Sequence, residues 1–152
     1  MSDELRARAL RLLARREHTR AELARKLAPD AATPAALDAL LTGLEARKQL
    51  SDERYAEARA HQLSRKFGAL RVRRELVAKG VEPDAAARFA ADVEKSDLER
   101  ARSILARKYR APATGPKEQL RRARFLQSRG FSLDVIRRAL GRFRAGATEE
   151  SP

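Results

Sequence analysis

The chain has 152 residues, enough for one domain or a short array of small units and too few for two ordinary large domains. Its 34 lysine and arginine residues outnumber 21 acidic residues, and the resulting net charge of +13 points to a polyanion or an acidic protein surface as partner. The lack of cysteine excludes disulfides, and two histidines cannot build a transition-metal cluster, so neither a metal nor another cofactor is expected.

Composition favours an all-α fold with a thin core. Leucine, isoleucine, valine and phenylalanine make up 32 of the 152 residues, close to the ~20% below which chains tend to be disordered. The 30 alanines and 27 arginines argue against disorder, because both residue types favour helices. No apolar run approaches the ~18 residues that cross a bilayer, so we expect a cytoplasmic protein without membrane contact.

Residues 1–50 have the pattern of three helices. Thr19 and Glu22 form a capping box that opens a short helix through Leu27, and Pro29 ends it. Apolar residues at helical spacing predict a longer amphipathic helix on each side of it. These residues are Leu5, Ala9, Leu12 and Leu13 before it, and Leu37, Leu40, Leu41 and Leu44 after it.

Residues 51–95 predict a second trio of helices. Ser51 is a candidate N-cap for a helix whose apolar stripe runs through Phe67 to Gly68. The next helix ends at Gly80, and Pro83 opens the third.

Residues 96–144 predict a third trio, followed by a disordered tail at residues 145–152. Ser96 can cap the first helix, and residues 110–116 form a connector. A second helix begins near Pro116 and ends at Gly130, and Ser132 starts the last one.

The trios repeat one another in sequence. The second and third match at a constant offset of 50: Leu76, Lys79, Gly80, Val81 and Asp84 correspond to Leu126, Arg129, Gly130, Phe131 and Asp134. The first is a weaker copy, because Leu27 stands where the glycine would be. Since a unit of this size buries too little apolar surface to be stable alone, we predict an elongated, curved array of three stacked three-helix repeats.

Basic residues concentrate in two stretches that we predict to form a binding surface. Residues 117–144 contain nine basic and two acidic residues, whereas residues 81–116 contain seven and six. Because the excess is regional, contact with a DNA backbone or an acidic protein surface is favoured over a solvated arginine face. The candidate binding residues are Arg65, Lys66, Arg71, Arg73, Arg74, Lys79, Lys117, Arg121, Arg122, Arg124 and Arg129.

Other motifs indicate neither catalysis nor base reading. No Gly-rich phosphate loop and no G-x-S-x-G turn is present in the sequence, so no enzymatic role is assigned. The helix-turn-helix spacing could place a helix in the DNA major groove, but Pro34 and Pro83 open helices that are poor in base-reading side chains. His18 is interpreted as a hydrogen-bonded turn residue, and Tyr55 and Tyr109 as packing residues.

Three blocks of the sequence resemble the RecX family. Residues 9–27 (ALRLLARREHTRAELARKL) are similar to its N-terminal signature, residues 51–57 (SDERYAE) to the start of its central unit, and residues 125–136 (FLQSRGFSLDVI) to its C-terminal block. The resemblance covers about residues 5–143 in the right order. It departs from the family at residues 68–72 (GALRV), where Gly-Pro often precedes an Arg-Ile pair, and we expect a looser turn there.

The resemblance implies three tandem repeats in a curved rod, which we place at residues 1–50, 51–95 and 96–144. It also implies a regulator that binds the RecA filament and inhibits ATP hydrolysis, strand exchange and coprotease action in recombination, DNA repair and the SOS response. Some members of the family bind DNA, so we expect weak, sequence-independent binding of single- and double-stranded DNA by a monomer.

Inhibition would be steric and conformational and would involve no catalytic step. Its size could not exceed the difference between the protein's binding free energies for two states of the filament. The cationic face would carry Arg71, Arg73, Arg74 and Lys79 in its centre and Arg121, Arg122 and Arg124 towards the C-terminus. Two alternatives stay open: a DNA-binding regulator, sequence-independent or of helix-turn-helix type, that acts without RecA, and a scaffold for an unrelated acidic partner.

Overall fold

A computed structural model describes residues 2–141, the side chain of Ser2 excepted. Within that range the chain forms nine α-helices and no strand, which confirms the predicted all-α class. The helices span Ser2–Arg15 (α1), Arg20–Leu27 (α2), Pro34–Ala46 (α3), Asp52–Leu63 (α4), Ala69–Ala78 (α5), Pro83–Glu94 (α6), Asp97–Lys108 (α7), Pro116–Ser128 (α8) and Leu133–Leu140 (α9). The predicted disordered tail, residues 145–152, lies outside the described residues.

Side-chain caps start three of the helices as predicted. At α4 the Ser51 hydroxyl oxygen accepts the N–H of Arg54 at 3.1 Å. At α2 the Thr19 hydroxyl oxygen accepts the N–H of Glu22 at 3.0 Å. At α9 the Ser132 hydroxyl oxygen accepts the N–H of Val135 at 3.2 Å. Each bond satisfies one of the N–H groups that have no partner inside the helix. No helix in residues 2–141 combines the length and the apolar character of a bilayer span.

Two predictions about helix ends were wrong. Ser96 occupies the N-cap position of α7 without capping it, because its hydroxyl donates to the Val93 carbonyl at 3.3 Å and accepts from Arg100 at 2.7 Å. The apolar stripe that was expected to continue α4 to Gly68 stops earlier, since the helix ends at Leu63 and a turn follows.

The chain forms two compact units, each with its own core. Unit 1 consists of the described residues of Met1–Arg59 and Glu75–Ala86, and unit 2 of those of Ala60–Arg74 and Ala87–Pro152. A core cluster in unit 1 contains Leu5, Ala9, Leu23, Leu27, Leu37, Leu41, Leu44 and Leu50. A core cluster in unit 2 contains Ala101, Leu126, Phe131, Val135 and Ile136.

In unit 1 the start of α2 packs on the turn that ends α5. Gly80 lies in that turn with a φ of 104°, in the left-handed region that favours glycine. The Thr19 hydroxyl donates to the carbonyl of Lys79. A Cβ at Gly80 would lie 2.5 Å from the Cβ of Ala21, so only glycine permits this close approach.

Unit 2 contains the same arrangement at the start of α5 and the turn that ends α8. Gly130 has a φ of 90°, and a Cβ there would lie 2.3 Å from the Cβ of Arg71. The Gly68 N–H donates to the Arg129 carbonyl at 2.8 Å. Because Gly68 has no side chain, its backbone makes the contact that the Thr19 hydroxyl makes in unit 1. We call each arrangement a glycine joint.

An aspartate completes each glycine joint. Asp52 Oδ1 accepts the N–H of Arg20 at 2.7 Å, and Asp97 Oδ2 accepts the N–H of Ala69 at 2.9 Å. Both donors are first residues of helices, whose N–H groups have no partner inside the helix. Asp97 is only 1% exposed, and this burial raises its pKa although the Ala69 N–H and the Arg100 guanidinium favour its charged form.

The expectation of a looser turn at residues 68–72 is wrong. The N–H groups of Gly68 and Leu70 bond to the Arg129 and Gly130 carbonyls at 2.8 and 3.0 Å, and Ala69 bonds to Asp97. A proline at position 69 would lack the N–H that Asp97 accepts. The alanine therefore adds a hydrogen bond to the joint.

The missing glycine in the first repeat also has a structural reason. Leu27, at the position that matches Gly80 and Gly130, is fully buried in the core of unit 1. After α2 the backbone continues into a 3₁₀ segment, Ala28–Asp30, instead of a left-handed turn. Leu27 has a φ of −93°, so this helix end needs no left-handed residue and a leucine fits the position.

Replacing the joint glycine should destabilise the protein strongly. We expect Gly130→Ala to lower the free energy of unfolding by about 2 kcal/mol or more, because the new Cβ meets Arg71 and the backbone is left-handed. The control is Gly43→Ala inside α3, where a Cβ meets nothing within 4 Å and the change should stabilise by about 0.5–1 kcal/mol. Urea unfolding measures both, and a Gly130→Ala protein as stable as the wild type would contradict the joint.

Candidate cationic interface

Seven of the eleven predicted binding residues are exposed, and all seven belong to unit 2. They are Arg65, Lys66, Arg73, Arg74, Lys117, Arg121 and Arg124. They lie in the connection between α4 and α5, on α5 and on α8. Within residues 2–141 only Arg121 has an acidic partner, Glu118 Oε2 at 3.0 Å. We call this set the exposed cations of unit 2.

Two exposed leucines lie among these cations, and the sequence reasoning missed both. On α8, Leu120 is 50% exposed and shares a helix face with Arg124, four residues later. On α5, Leu70 is also 50% exposed and precedes Arg73 and Arg74 by three and four residues. The signal was present in the offset of 50, which relates Leu70 to Leu120 and Arg74 to Arg124.

Two further predicted residues, Arg71 and Arg129, are half-buried against aromatic rings. The Arg71 guanidinium carbon lies 4.2 Å from the centroid of Phe67. The Arg129 guanidinium carbon lies 5.8 Å from the same ring and 5.1 Å from the centroid of Phe125. Arg129 also donates to the Lys66 carbonyl at 3.1 Å. These contacts stabilise the α4–α5 connection, since a cation over an aromatic face is typically worth about 0.5–2 kcal/mol.

Arg122 is held in a similar way. Its side chain is 14% exposed, and its guanidinium carbon lies 4.4 Å from the Tyr109 ring centroid. Its Nη2 donates to the Ala111 carbonyl at 2.8 Å. The Tyr109 ring meets Phe125 edge-on at 6.2 Å, which agrees with its interpretation as a packing residue. Arg122 therefore orders the connector between α7 and α8.

Lys79 is the one predicted binding residue that lies in unit 1. Sequence proximity grouped it with the arginines of α5, but it follows the end of that helix and its carbonyl accepts the Thr19 hydroxyl in the glycine joint. Lys79 lines a different part of the surface, together with Arg25 and Lys26.

His18 is buried, and its hydrogen bonds confirm the interpretation of a bonded turn residue. It is 1% exposed, and Nδ1 lies 3.0 Å from the Arg16 carbonyl oxygen. Because a carbonyl can only accept, Nδ1 carries the proton, and Nε2 accepts from the Lys26 ammonium at 2.9 Å. Burial lowers the pKa of His18, and the positive charges of Arg16 and Lys26 act in the same direction.

Glu22 forms the other half of this buried network. Arg16 donates to both of its carboxylate oxygens, at 2.6 and 3.1 Å. These bonds lower the pKa of Glu22 to about 2, against the opposing effect of burial. The carboxylate thus pairs with Arg16 instead of returning to the Thr19 N–H as in a complete capping box.

The buried histidine should make stability depend on pH. Because the pKa of His18 is lower in the folded chain than the unfolded value of 6.5, its contribution is complete above that value and is lost as pH falls through the folded pKa. We expect the urea midpoint of unfolding to decrease as the pH is lowered from neutral to ~5. The His18→Gln variant should show a smaller decrease of the midpoint with pH. Glu22 adds a second loss between its ordinary pKa of 4.5 and about 2.

The matched control is His61→Gln, which removes an exposed histidine on α4 and leaves His18 in place. In this variant the urea midpoint should depend on pH as it does in the wild type. If the urea midpoints of the wild type and His18→Gln depend equally on pH, the buried network does not control stability in acid.

Three comparisons place the chain among known proteins. Family models described as the first, second and third three-helix domains of RecX match residues 6–41, 51–88 and 95–140. A regulatory protein RecX from Leptothrix cholodnii is 46% identical over 136 residues, which cover 90% of this chain and 87% of the relative. Another from Herbaspirillum seropedicae is 44% identical over 135 residues, covering 89% and 88%.

The fold is similar to a solved structure. The crystal structure of RecX from Lactobacillus salivarius superposes with a TM-score of 0.74 at 19% sequence identity and covers 89% of this chain and 91% of that one. This similarity supports an all-α arrangement of tandem three-helix repeats. The curated relatives are named regulatory proteins, in agreement with the prediction of a regulator without enzymatic activity.

Proposed function

Because the chain belongs to the RecX family, we propose that it binds the RecA filament on DNA and inhibits ATP hydrolysis, strand exchange and coprotease action. The observation that carries the proposal is the set of exposed cations of unit 2, nearly all of which have no acidic partner within residues 2–141. It acts as a monomer in the cytoplasm, in recombination, DNA repair and the SOS response.

The exposed leucines favour a nucleoprotein partner over bare DNA. Leu70 and Leu120 are each half exposed, and each adjoins arginines of its own helix. Phosphate groups attract the arginines but offer nothing to an apolar side chain, whereas a protein surface can bury it at about 25 cal/mol per Å². A filament presents both kinds of surface.

The proposed inhibition requires no chemistry. A rigid protein that binds one filament state more tightly than another shifts the filament towards that state, by no more than the difference in binding free energy. The half-buried arginines keep the exposed cations in fixed positions, because Arg71 and Arg129 hold the α4–α5 connection through Phe67. Binding then opposes the subunit movements that turnover needs.

Charge reversal at four exposed arginines should abolish inhibition. We expect Arg73, Arg74, Arg121 and Arg124→Glu to raise the protein concentration that half-inhibits RecA ATPase on single-stranded DNA at least about tenfold, since like charges across an interface cost several kcal/mol. Arg122 is left unchanged because its side chain is only 14% exposed and its replacement would disturb the fold.

A control with the same change in net charge distinguishes local from general electrostatics. Arg11, Arg15, Arg47 and Arg107 are exposed residues outside the set, and their reversal to Glu should leave inhibition within about twofold of the wild type. Circular dichroism should give the same helical content for all three proteins. Equal inhibition by the wild type and the first variant would contradict the proposal.

Direct DNA binding should be weak and strongly salt-dependent. If about six of the cations contact phosphates, duplex affinity should fall about 10³-fold or more between 50 and 200 mM salt. Fluorescence anisotropy with two duplexes of unrelated sequence measures this and should give equal affinities. A shallow salt slope or a strong sequence preference would instead favour a DNA-binding regulator that acts without RecA.

A further inference from the structure

A cleft in unit 1 collects cations that the proposed filament contact does not use. It has a volume of about 480 Å³ and is lined by Glu22, Arg25, Lys26, Ala78 and Lys79. The cleft is shallow and open to solvent, so a ligand there would be held by charge and hydrogen bonds more than by enclosure. Both sides of the cleft, α2 and the end of α5, belong to the same compact unit.

The charge of the cleft is strongly positive. Arg25, Lys26 and Lys79 contribute three positive charges, and Glu22 contributes the single negative one. Arg16 already donates to both oxygens of Glu22, at 2.6 and 3.1 Å, so this carboxylate is neutralised by its own partner. Within residues 2–141, the Arg25 and Lys79 side chains have no hydrogen bond or ion pair. An anion entering the cleft therefore competes with no internal partner for these two groups.

One of the three cations, the Lys26 ammonium, is also held in place before any ligand binds. The Lys26 ammonium donates to Nε2 of the buried His18 at 2.9 Å, and further donors remain free on that ammonium. The backbone of Lys79 is fixed by the Thr19 hydroxyl and by the turn at Gly80. Preorganised donors lose less entropy when they bind a ligand.

From this geometry we propose that the cleft between α2 and the end of α5 binds a phosphate group. Two ammonium groups and a guanidinium match a ligand with three acceptor oxygens and more than one negative charge better than they match a carboxylate. The shared chemistry is a phosphate, carried either by a free phosphate compound or by a nucleic acid backbone. The site is independent of the proposed contact with the RecA filament.

Residue-resolved NMR titration of the whole chain with pyrophosphate at low salt tests the site. We expect saturable shifts of the backbone amides of Arg25, Lys26, Ala78 and Lys79. Lys26→Met with Lys79→Met should weaken pyrophosphate binding at least about tenfold, because two charge-assisted bonds are lost. Arg47→Met with Arg107→Met removes the same charge elsewhere and should stay within about twofold.

A second variant keeps the test valid if loss of Lys26 disturbs the buried histidine. Arg25→Gln changes an exposed side chain that has no internal partner, so its fold should be unaffected, and it should weaken pyrophosphate binding about threefold or more. Titration with tetrathymidylate separates the two sources. Shifts of the same amides assign the site to backbone phosphate, and shifts with pyrophosphate alone assign it to a free phosphate compound.

The proposal is overturned if neither probe gives saturable shifts at these amides, or if the double lysine variant and Arg25→Gln both bind pyrophosphate as tightly as the wild type. Since RecA is absent from the measurement, such a failure leaves the filament function untouched. Conversely, unchanged filament inhibition by the arginine reversal variant would contradict the proposed filament contact without affecting the evidence for this site.

Discussion

The glycine joint is the contact on which the rest of the structure depends. In each unit a left-handed glycine lets a helix end approach the first turn of another helix so closely that no side chain fits between them. An aspartate from the start of a further helix accepts the first N–H of that turn, at 2.7 Å in unit 1 and 2.9 Å in unit 2. Because the chain has few large apolar residues, these short polar contacts provide stability that other domains obtain from a larger apolar core.

The joint also determines where the cations of unit 2 lie. Gly130 packs on Arg71, and the Gly68 N–H bonds to the Arg129 carbonyl, so the α4–α5 connection and the end of α8 are held together. The guanidinium groups of Arg71 and Arg129 also both contact the Phe67 ring, 4.2 and 5.8 Å from its centroid. The half-buried arginines thus stabilise the fold, and the exposed cations beside them remain available for a partner.

The sequence predicted the helices, the repeat and the joint glycines, because caps and left-handed turns depend on neighbouring residues. It did not predict what depends on residues far apart in the chain. No role was assigned to Asp97 from the sequence, yet Asp97 caps α5. The Ser-Asp pairs at 51–52 and 96–97 were the available clue. The basic residues were likewise predicted as one set. In the structure Arg122 packs against the Tyr109 ring and is mostly buried, whereas Arg124 is exposed.

Residue-resolved hydrogen exchange of the Gly68, Ala69 and Leu70 amides tests the joint most directly. These groups start α5 and have no partner inside the helix, so protection can come only from Arg129, Asp97 and Gly130. If the joint is formed as described, they should exchange as slowly as amides in the middle of α8, through opening of the whole unit. Exchange near the unprotected rate, while the middle of α8 stays protected, would contradict the account.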